Sequence, residues 1–280
     1  MAKIPFPSKT VPRAKAKRIL ALLEEAYPHA ETALEYRNPF ELLVAVALSA
    51  QCTDARVNMT TPALFARYPD AAALAKAKLA DVERIIKSCG FFRAKARNIV
   101  TAAQALVERH GGRVPSDRAA LEALPGVGRK TASVVLAVAF EQAAFAVDTH
   151  VFRVAHRMGL TTGKTPLDVE RDVTALLPRE QWRHAHHWLI LHGRQVCKAP
   201  MPLCGRCVVQ DLCPTAPLVL GLLSTTAAGR AQAAPAAGAS RRASTPAAAK
   251  TGSAARRPAR AAAPKPKQTP RTTPSGKGRS

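Results

Sequence analysis

Two residues of this chain, Lys130 and Asp148, have side chains suited to chemistry on a sugar. A neutral lysine amine can attack a sugar C1′ and form a Schiff base. We expect Lys130 in the first turn of a helix, where the helix dipole and partial burial both lower the pKa of an ammonium group. Asp148 can stabilise the positive charge that builds on the sugar. Its alternative role is to cap a helix from Thr149 to Met158.

The segment before Lys130 predicts a tight turn that binds phosphate. Pro125 ends the preceding helix, and Gly126 and Gly128 permit backbone angles that other residues avoid. Without side chains on these glycines, the backbone amides can approach a phosphate closely, and the next helix adds the positive end of its dipole. Arg129 lies in the same turn and is expected to contact the nucleic-acid backbone as well. Such binding does not depend on base sequence.

A group of four cysteines near residue 200 has the spacing C-x6-C-x2-C-x5-C. Four thiolates in one short loop, rich in Pro and Gly, suit a single compact metal centre rather than disulfides. Zinc is one candidate, although the spacing differs from the paired C-x2-C motifs of zinc ribbons. The four are Cys197, Cys204, Cys207 and Cys213.

Taken in this order, the hairpin turn, the Asp-Thr-His segment at 148–150 and the cysteine loop resemble the endonuclease III family of helix-hairpin-helix DNA glycosylases. The resemblance covers about residues 13–215. It implies an all-α fold of two helical lobes with DNA in the cleft between them, and a [4Fe-4S] cluster on the four cysteines. The expected division is a flexible N-terminus (1–12), a cluster-bearing lobe (13–32 with 143–215) and a helix-hairpin-helix lobe (33–142).

The resemblance also implies an activity, that of a bifunctional DNA N-glycosylase and abasic-site lyase of base-excision repair. Lys130 is expected to release oxidised or otherwise damaged pyrimidines through a Schiff base, and the strand is then cut by β-elimination. The expected partner is double-stranded DNA with damaged bases or abasic sites, bound by a monomer. The alternatives are a mismatch glycosylase acting on adenine, or on thymine opposite guanine, and a non-catalytic DNA-binding scaffold.

Two further segments are interpreted through the same resemblance. Gln51 lies in a helix–helix turn and is expected to fill the hole that a flipped base leaves in DNA; its alternative is a turn glutamine that faces water. Phe91 is expected to act as an apolar wedge, with Arg93 and Lys95 as phosphate contacts. We expect one of the two adjacent phenylalanines to belong to the core. His150 is expected to orient Asp148 or to contact phosphate.

Composition agrees with a polyanionic partner, since the net charge is +23. All the acidic residues lie at or before Asp211, whereas residues 216–280 hold 12 Lys and Arg and are predicted to form a disordered basic tail. Within it, residues 218–223 are a short apolar exception that can pack on the domain edge. No apolar run spans a membrane and no signal-peptide core is present, so we expect a cytoplasmic, nucleoid-associated protein of bacterial type.

Helical patterns account for most of the chain between residues 13 and 215, with caps expected at Asn38, Thr53 and Ser116. The four histidines near the two tryptophans lack a clear i, i+4 pair, so packing is favoured over a zinc site. Cys52 and Cys89 lie apart from the cysteine loop and are expected to be buried as small apolar residues.

Overall fold

The computed structural model describes residues 4–224, and in this range the chain forms twelve α-helices, three short 3-10 turns and no β-strand. The prediction of an all-α fold is therefore confirmed. The helices are α1 (Arg13–Ala26), α2 (Pro39–Leu48), α3 (Asp54–Arg67), α4 (Ala71–Ala75), α5 (Leu79–Ile86), α6 (Phe92–His110), α7 (Arg118–Glu122), α8 (Arg129–Ala139), α9 (Thr149–Arg157), α10 (Pro166–Thr174), α11 (Trp182–Gln195) and α12 (Ala216–Ser224).

Short polar side chains fix where several of these helices begin. Asn38 caps α2 by accepting from the backbone N–H of Glu41 at 3.0 Å, and Thr53 caps α3 in the same way. Both caps agree with the sequence prediction. The predicted cap of α7 was wrong by one residue, because Asp117 rather than Ser116 accepts from the backbone N–H of Ala120. A carboxylate at this position also favours the positive end of the helix dipole.

The described chain holds two principal hydrophobic cores. The first is built by α2 to α8 from residues between 34 and 146, and its centre includes Leu42, Leu48 and Leu106. The second is built by α1, α9, α10, α11 and the cysteine loop. Helix α8 supplies the first core with a face of small and β-branched residues, which lets it pack closely against α2. The lobe boundaries at 32/33 and 142/143 stay a prediction.

Two terminal segments differ from the expectation. The predicted N-terminal segment makes contacts that were not expected, since Ile4 is buried and Phe6 stacks on His156 with ring centroids 4.7 Å apart; its flexibility stays a prediction. The predicted tail begins too early, since residues 216–224 form α12 and bury Ala216 and Val219 beside Cys204, and the expectation that residues 218–223 pack on the domain edge is confirmed. Apolar side chains explain both outcomes, because each segment covers the edge of the cysteine loop. The rest of the predicted tail, 225–280, lies outside the described residues.

No helix in the described part of the chain combines the length and the apolar character needed to cross a bilayer.

Candidate active site and cysteine loop

A cleft of about 650 Å³ opens between side chains of the two cores. Lys130 and Asp148 both line it, as do Gln51, Gly126 and His150. Lys95 also lines it, so the structure brings six of the predicted site residues to one cavity, although they come from separate stretches of chain. Their convergence is the first requirement for a shared chemical role.

Lys130 is the second residue of α8, as expected from the turn before it. Its side chain is reached by solvent through the cleft, while protein surrounds most of the amine. Burial lowers the pKa of Lys130; the carboxylates of Asp148 and Asp54 oppose that shift and Arg194 reinforces it. A lowered pKa makes the neutral amine available at a lower pH than for an ordinary lysine.

Asp148 precedes α9, and its Oδ1 accepts from the backbone N–H of Val151 at 2.8 Å. The alternative role as an N-cap is therefore real. The same carboxylate also acts electrostatically on Lys130. Only one oxygen takes part in the cap, so the two roles do not exclude each other.

The turn before α8 contains one glycine that no other residue can replace without strain. Gly126 has a φ of +76°, and an added Cβ would lie 2.7 Å from Cβ of Asn98. Gly128 differs from the expectation, because its φ of −92° is ordinary. Space rather than backbone freedom distinguishes Gly128, since nothing lies within 4 Å of an added Cβ. The amides beside it are therefore open to an approaching group.

The guanidinium of Arg129 has a protein partner. Its Nε and Nη2 donate to the two carboxylate oxygens of Glu170 at 2.8 and 2.9 Å, and α8 is thereby tied to α10. A DNA phosphate would have to compete with this two-point ion pair. The predicted phosphate contact of Arg129 thus needs an exchange of partners.

Gln51 and Phe91 occupy two exposed turns with left-handed backbone. Their φ angles are 52° and 46°, values that few residues other than glycine adopt. Phe91 is 69% exposed, whereas its neighbour Phe92 packs against the first core. The expectation that one of the two phenylalanines belongs to the core is confirmed. Arg93 is exposed beside them, with its guanidinium carbon 5.4 Å from the centroid of the Phe92 ring.

The prediction that Lys95 contacts a DNA phosphate is wrong. The residue is only 7% exposed, and its ammonium donates to the carbonyl of Leu48 at 2.8 Å and to the carbonyl of Cys89. It thereby holds the end of α2 against the turn before Phe91. Cys89 is buried as expected, while Cys52 is half-buried and its thiol contacts that of Cys89.

His150 does not orient Asp148 through a ring hydrogen bond. Its Nδ1 lies 3.1 Å from Nη2 of Arg153, which also donates to the carbonyls of Gly193 and Cys197. Arg153 thus connects the first turn of α9 to the start of the cysteine loop. The phosphate contact predicted for His150 stays a prediction.

The four cysteines of the loop surround one small apolar cavity beside Arg157 and His192. Burial, together with the neighbouring thiolates, raises the pKa of Cys204 to about 12 and that of Cys207 to about 11. Neighbouring thiolates repel one another, so Cys204 and Cys207 stay protonated unless a cation joins them. Among residues 4–224, no three Cys, His, Asp or Glu side chains are close enough to share a single metal ion. A four-iron cluster differs from zinc, because each thiolate binds a different iron.

Arg157 gives a second observation that fits such a cluster. It is 4% exposed, its Nη1 lies 3.7 Å from Sγ of Cys197, and its buried Nε has no hydrogen-bond partner. A buried cation with an unused donor beside four thiols suits an anionic group in the cavity. The residues present therefore fit a [4Fe-4S] cluster.

Comparison with known proteins decides the family. A profile described as HhH-GPD superfamily base excision DNA repair protein matches residues 44–179. Endonuclease III of Synechocystis is 50% identical over 205 residues, which are 73% of this chain and 94% of that protein. The chain belongs to the endonuclease III family. It is a DNA glycosylase and abasic-site lyase of base-excision repair.

Other relatives agree with this membership. Endonuclease III of Escherichia coli is 48% identical over 201 residues, which are 72% of this chain and 95% of that protein. A solved structure of endonuclease III trapped in a covalent intermediate with DNA has a TM-score of 0.72 and 42% identity, and the match covers 74% of this chain and 98% of that one. A thermostable thymine-DNA glycosylase is only 23% identical and shares the fold alone. The mismatch-glycosylase and scaffold alternatives are therefore not favoured.

Sequence reasoning missed the side chains that support the endonuclease III site from a distance. Arg153 and Arg157 bind the cysteine loop from α9, and His192 joins Tyr27 at 3.1 Å to Sγ of Cys207 at 3.5 Å. No local motif reports such contacts, because the partners lie about 15 to 165 positions apart. The prediction that the histidines serve packing agrees with His186, which is buried and whose Nδ1 donates to the carbonyl of Ala146 at 2.7 Å.

Proposed function

We propose that Lys130 is the nucleophile of this enzyme and that Asp148 stabilises the charge developing on the sugar. The observation that carries the proposal is the position of the Lys130 amine, which lies in the shared cleft with a lowered pKa and a carboxylate acting on it. A neutral amine and a nearby carboxylate are the two groups that displacement of a base at C1′ requires.

In the proposed reaction, the lone pair of Nζ forms a bond to C1′ while the bond from C1′ to the base breaks. The base leaves with that electron pair and then takes up a proton. The C1′–O4′ bond then breaks as the nitrogen lone pair forms a protonated imine, and O4′ takes up a proton from water. The imine makes the C2′ hydrogen acidic. Loss of this proton to water forms a C2′=C3′ double bond, the 3′ phosphate leaves with the electrons of the C3′–O bond, and the strand is cut. Asp148 opposes the positive charge at C1′ throughout base departure.

The proposed substrate is double-stranded DNA with a damaged, oxidised or ring-saturated pyrimidine, or with an abasic site. Endonuclease III has been solved in covalent and non-covalent complexes with DNA, which supports duplex DNA as the partner of this chain. We assign backbone contacts to the amides around Gly126 and Gly128, and the support of the flipped state to Gln51 and Phe91. Exposure of both side chains on left-handed turns suits insertion into a stack.

The proposed cofactor is a [4Fe-4S] cluster held by Cys197, Cys204, Cys207 and Cys213. When bound, it supplies a rigid cross-link of the loop, and no step of base removal passes through it. Arg157 offsets its negative charge by donating towards Cys197. We also propose a monomer working on the bacterial chromosome in the cytoplasm, since the relatives that support the family are bacterial endonucleases III.

One experiment tests the function. A duplex with a single oxidised pyrimidine is incubated with enzyme under borohydride, and strand cleavage and covalent adduct are both measured. The wild-type enzyme should give both, and Lys130→Gln should give neither while still binding DNA. Lys76→Gln, a change at a lysine that follows α4 and lies outside the cleft, is the matched control and should behave as wild type. An adduct of normal yield with Lys130→Gln would place the nucleophile elsewhere.

A further inference from the structure

An ion pair joins the two cores at the cleft that holds Lys130. Nη1 of Arg194, near the end of α11, donates to Oδ2 of Asp54, the first residue of α3, at 2.6 Å. The Asp54 side chain is 16% exposed and that of Arg194 is 43% exposed. Both residues line the cleft. The pair belongs neither to a cap nor to the cysteine loop, and the reaction described above does not use it.

The two partners have opposite effects on Lys130. The carboxylate of Asp54 favours the charged ammonium, while the guanidinium of Arg194 opposes it. As long as they are paired, the guanidinium offsets part of the effect of the carboxylate at the amine. If Arg194 were absent, a partly buried carboxylate would face the amine without compensation and would hold a proton on it.

We propose that Arg194 is a positioning residue for the reaction, which keeps the Lys130 amine neutral by holding Asp54 in an ion pair across the cleft. The inference rests on the proposed role of Lys130 as the nucleophile. Arg194 acts through Asp54 and need not touch the sugar or the base. The negative charge of Asp54 is thus paired with Arg194. Asp148 is the carboxylate that remains free to stabilise the positive charge on the sugar.

Other charged and titratable groups also face this region, and none of them is substituted in the experiment. They are Glu31 from the segment between α1 and α2, Cys52 from the turn before α3, Asp148 and His150 from the start of α9, His186 and His187 from α11, Lys95 from α6, and the Arg129–Glu170 pair that links α8 to α10.

The test is the pH dependence of strand cleavage at an abasic site, measured in single turnover at saturating enzyme from about pH 5.5 to 9. An abasic substrate has no base to release, so the rate rises with pH as the fraction of neutral Lys130 amine rises. This part of the pH–rate profile is the rising limb. Arg194→Gln should move that limb to higher pH by about half a unit or more, and Asp54→Asn should move it to lower pH. The double variant should return close to wild type, and Arg194→Lys should stay there because it keeps the charge.

The decisive observation is that the rising limb moves in opposite directions in Arg194→Gln and Asp54→Asn, because general damage to the fold would move it in the same direction in both variants. A limb that stays in place in both variants would overturn the inference, even if Arg194→Gln weakens DNA affinity or lowers the melting temperature. Lys130→Gln separates the two proposals. If it abolishes trapping and the limbs still do not diverge, only the role of Arg194 fails. If it still traps DNA, the nucleophile is elsewhere and both proposals fail.

Discussion

The substitution Asp148→Asn separates the two roles of this residue, because asparagine keeps one and removes the other. The cap of α9 needs only an oxygen acceptor for the Val151 N–H, now at 2.8 Å, and asparagine supplies one. We expect the unfolding free energy to change by less than about 0.5 kcal/mol. The carboxylate charge in the cleft is removed, and base release should slow by about two to four orders of magnitude, or roughly 3–5 kcal/mol of activation free energy.

The sign of the pH effect makes the expectation sharper. Asp148 raises the pKa of Lys130, so its neutralisation should lower that pKa and move the rising limb of the rate to lower pH. More neutral amine is then present, yet the maximal rate falls. The slower rate therefore cannot come from a protonated nucleophile.

The assay is single-turnover release of an oxidised pyrimidine, followed across pH together with urea unfolding. Asp70→Asn is the matched control, because Asp70 caps α4 by accepting from the Ala73 N–H at 2.7 Å and lies outside the cleft. It should match the stability change and leave the rate unaltered. A normal maximal rate for Asp148→Asn would refute the catalytic role and leave only the cap.

Three other changes have defined outcomes. Gly126→Ala should destabilise the hairpin by roughly 1–2 kcal/mol from its left-handed φ alone, and the clash with Asn98 should add to that loss. The same variant should bind DNA more weakly in a fluorescence titration, whereas Gly128→Ala should fold normally. Burial depresses the pKa of His186, so only the unfolded state takes up a proton on this ring. The unfolding free energy should therefore fall as the pH drops below about 6.5, by up to about 1.4 kcal/mol per pH unit. His186→Gln should flatten that slope in urea titrations. Truncation after Ser224 removes 12 basic residues but leaves α12, so it should preserve single-turnover cleavage and flatten the salt dependence of DNA affinity by about 0.9 for each phosphate that those residues neutralise in the full chain.

The sequence was sufficient wherever function depends on short spacing. Lys130 follows its turn directly, Asp148 begins the next helix, and the four cysteines lie within one loop, so local rules place each of them. The helices followed for the same reason, since caps and apolar periodicity are properties of neighbouring residues.

Several failures of sequence reasoning share one physical cause, which is that tertiary contacts decide the state of a charged side chain. Lys95 follows Arg93 by two positions on α6, yet Lys95 is buried against carbonyls while Arg93 is accessible to solvent. The pairing of Asp54 with Arg194 spans 140 positions. Arg157 reaches Cys197 of the cysteine loop from the end of α9, and nothing near Arg157 in the chain predicts that contact.

The central claim is that the Lys130 amine forms the covalent bond to DNA. Its most direct test is to trap the wild-type enzyme on an oxidised-pyrimidine duplex with borohydride, digest the adduct with nuclease and protease, and locate the reduced sugar by mass spectrometry. We predict the modification on Nζ of Lys130. A sugar remnant on any other amine of the protein, with Lys130 unmodified, would contradict this claim.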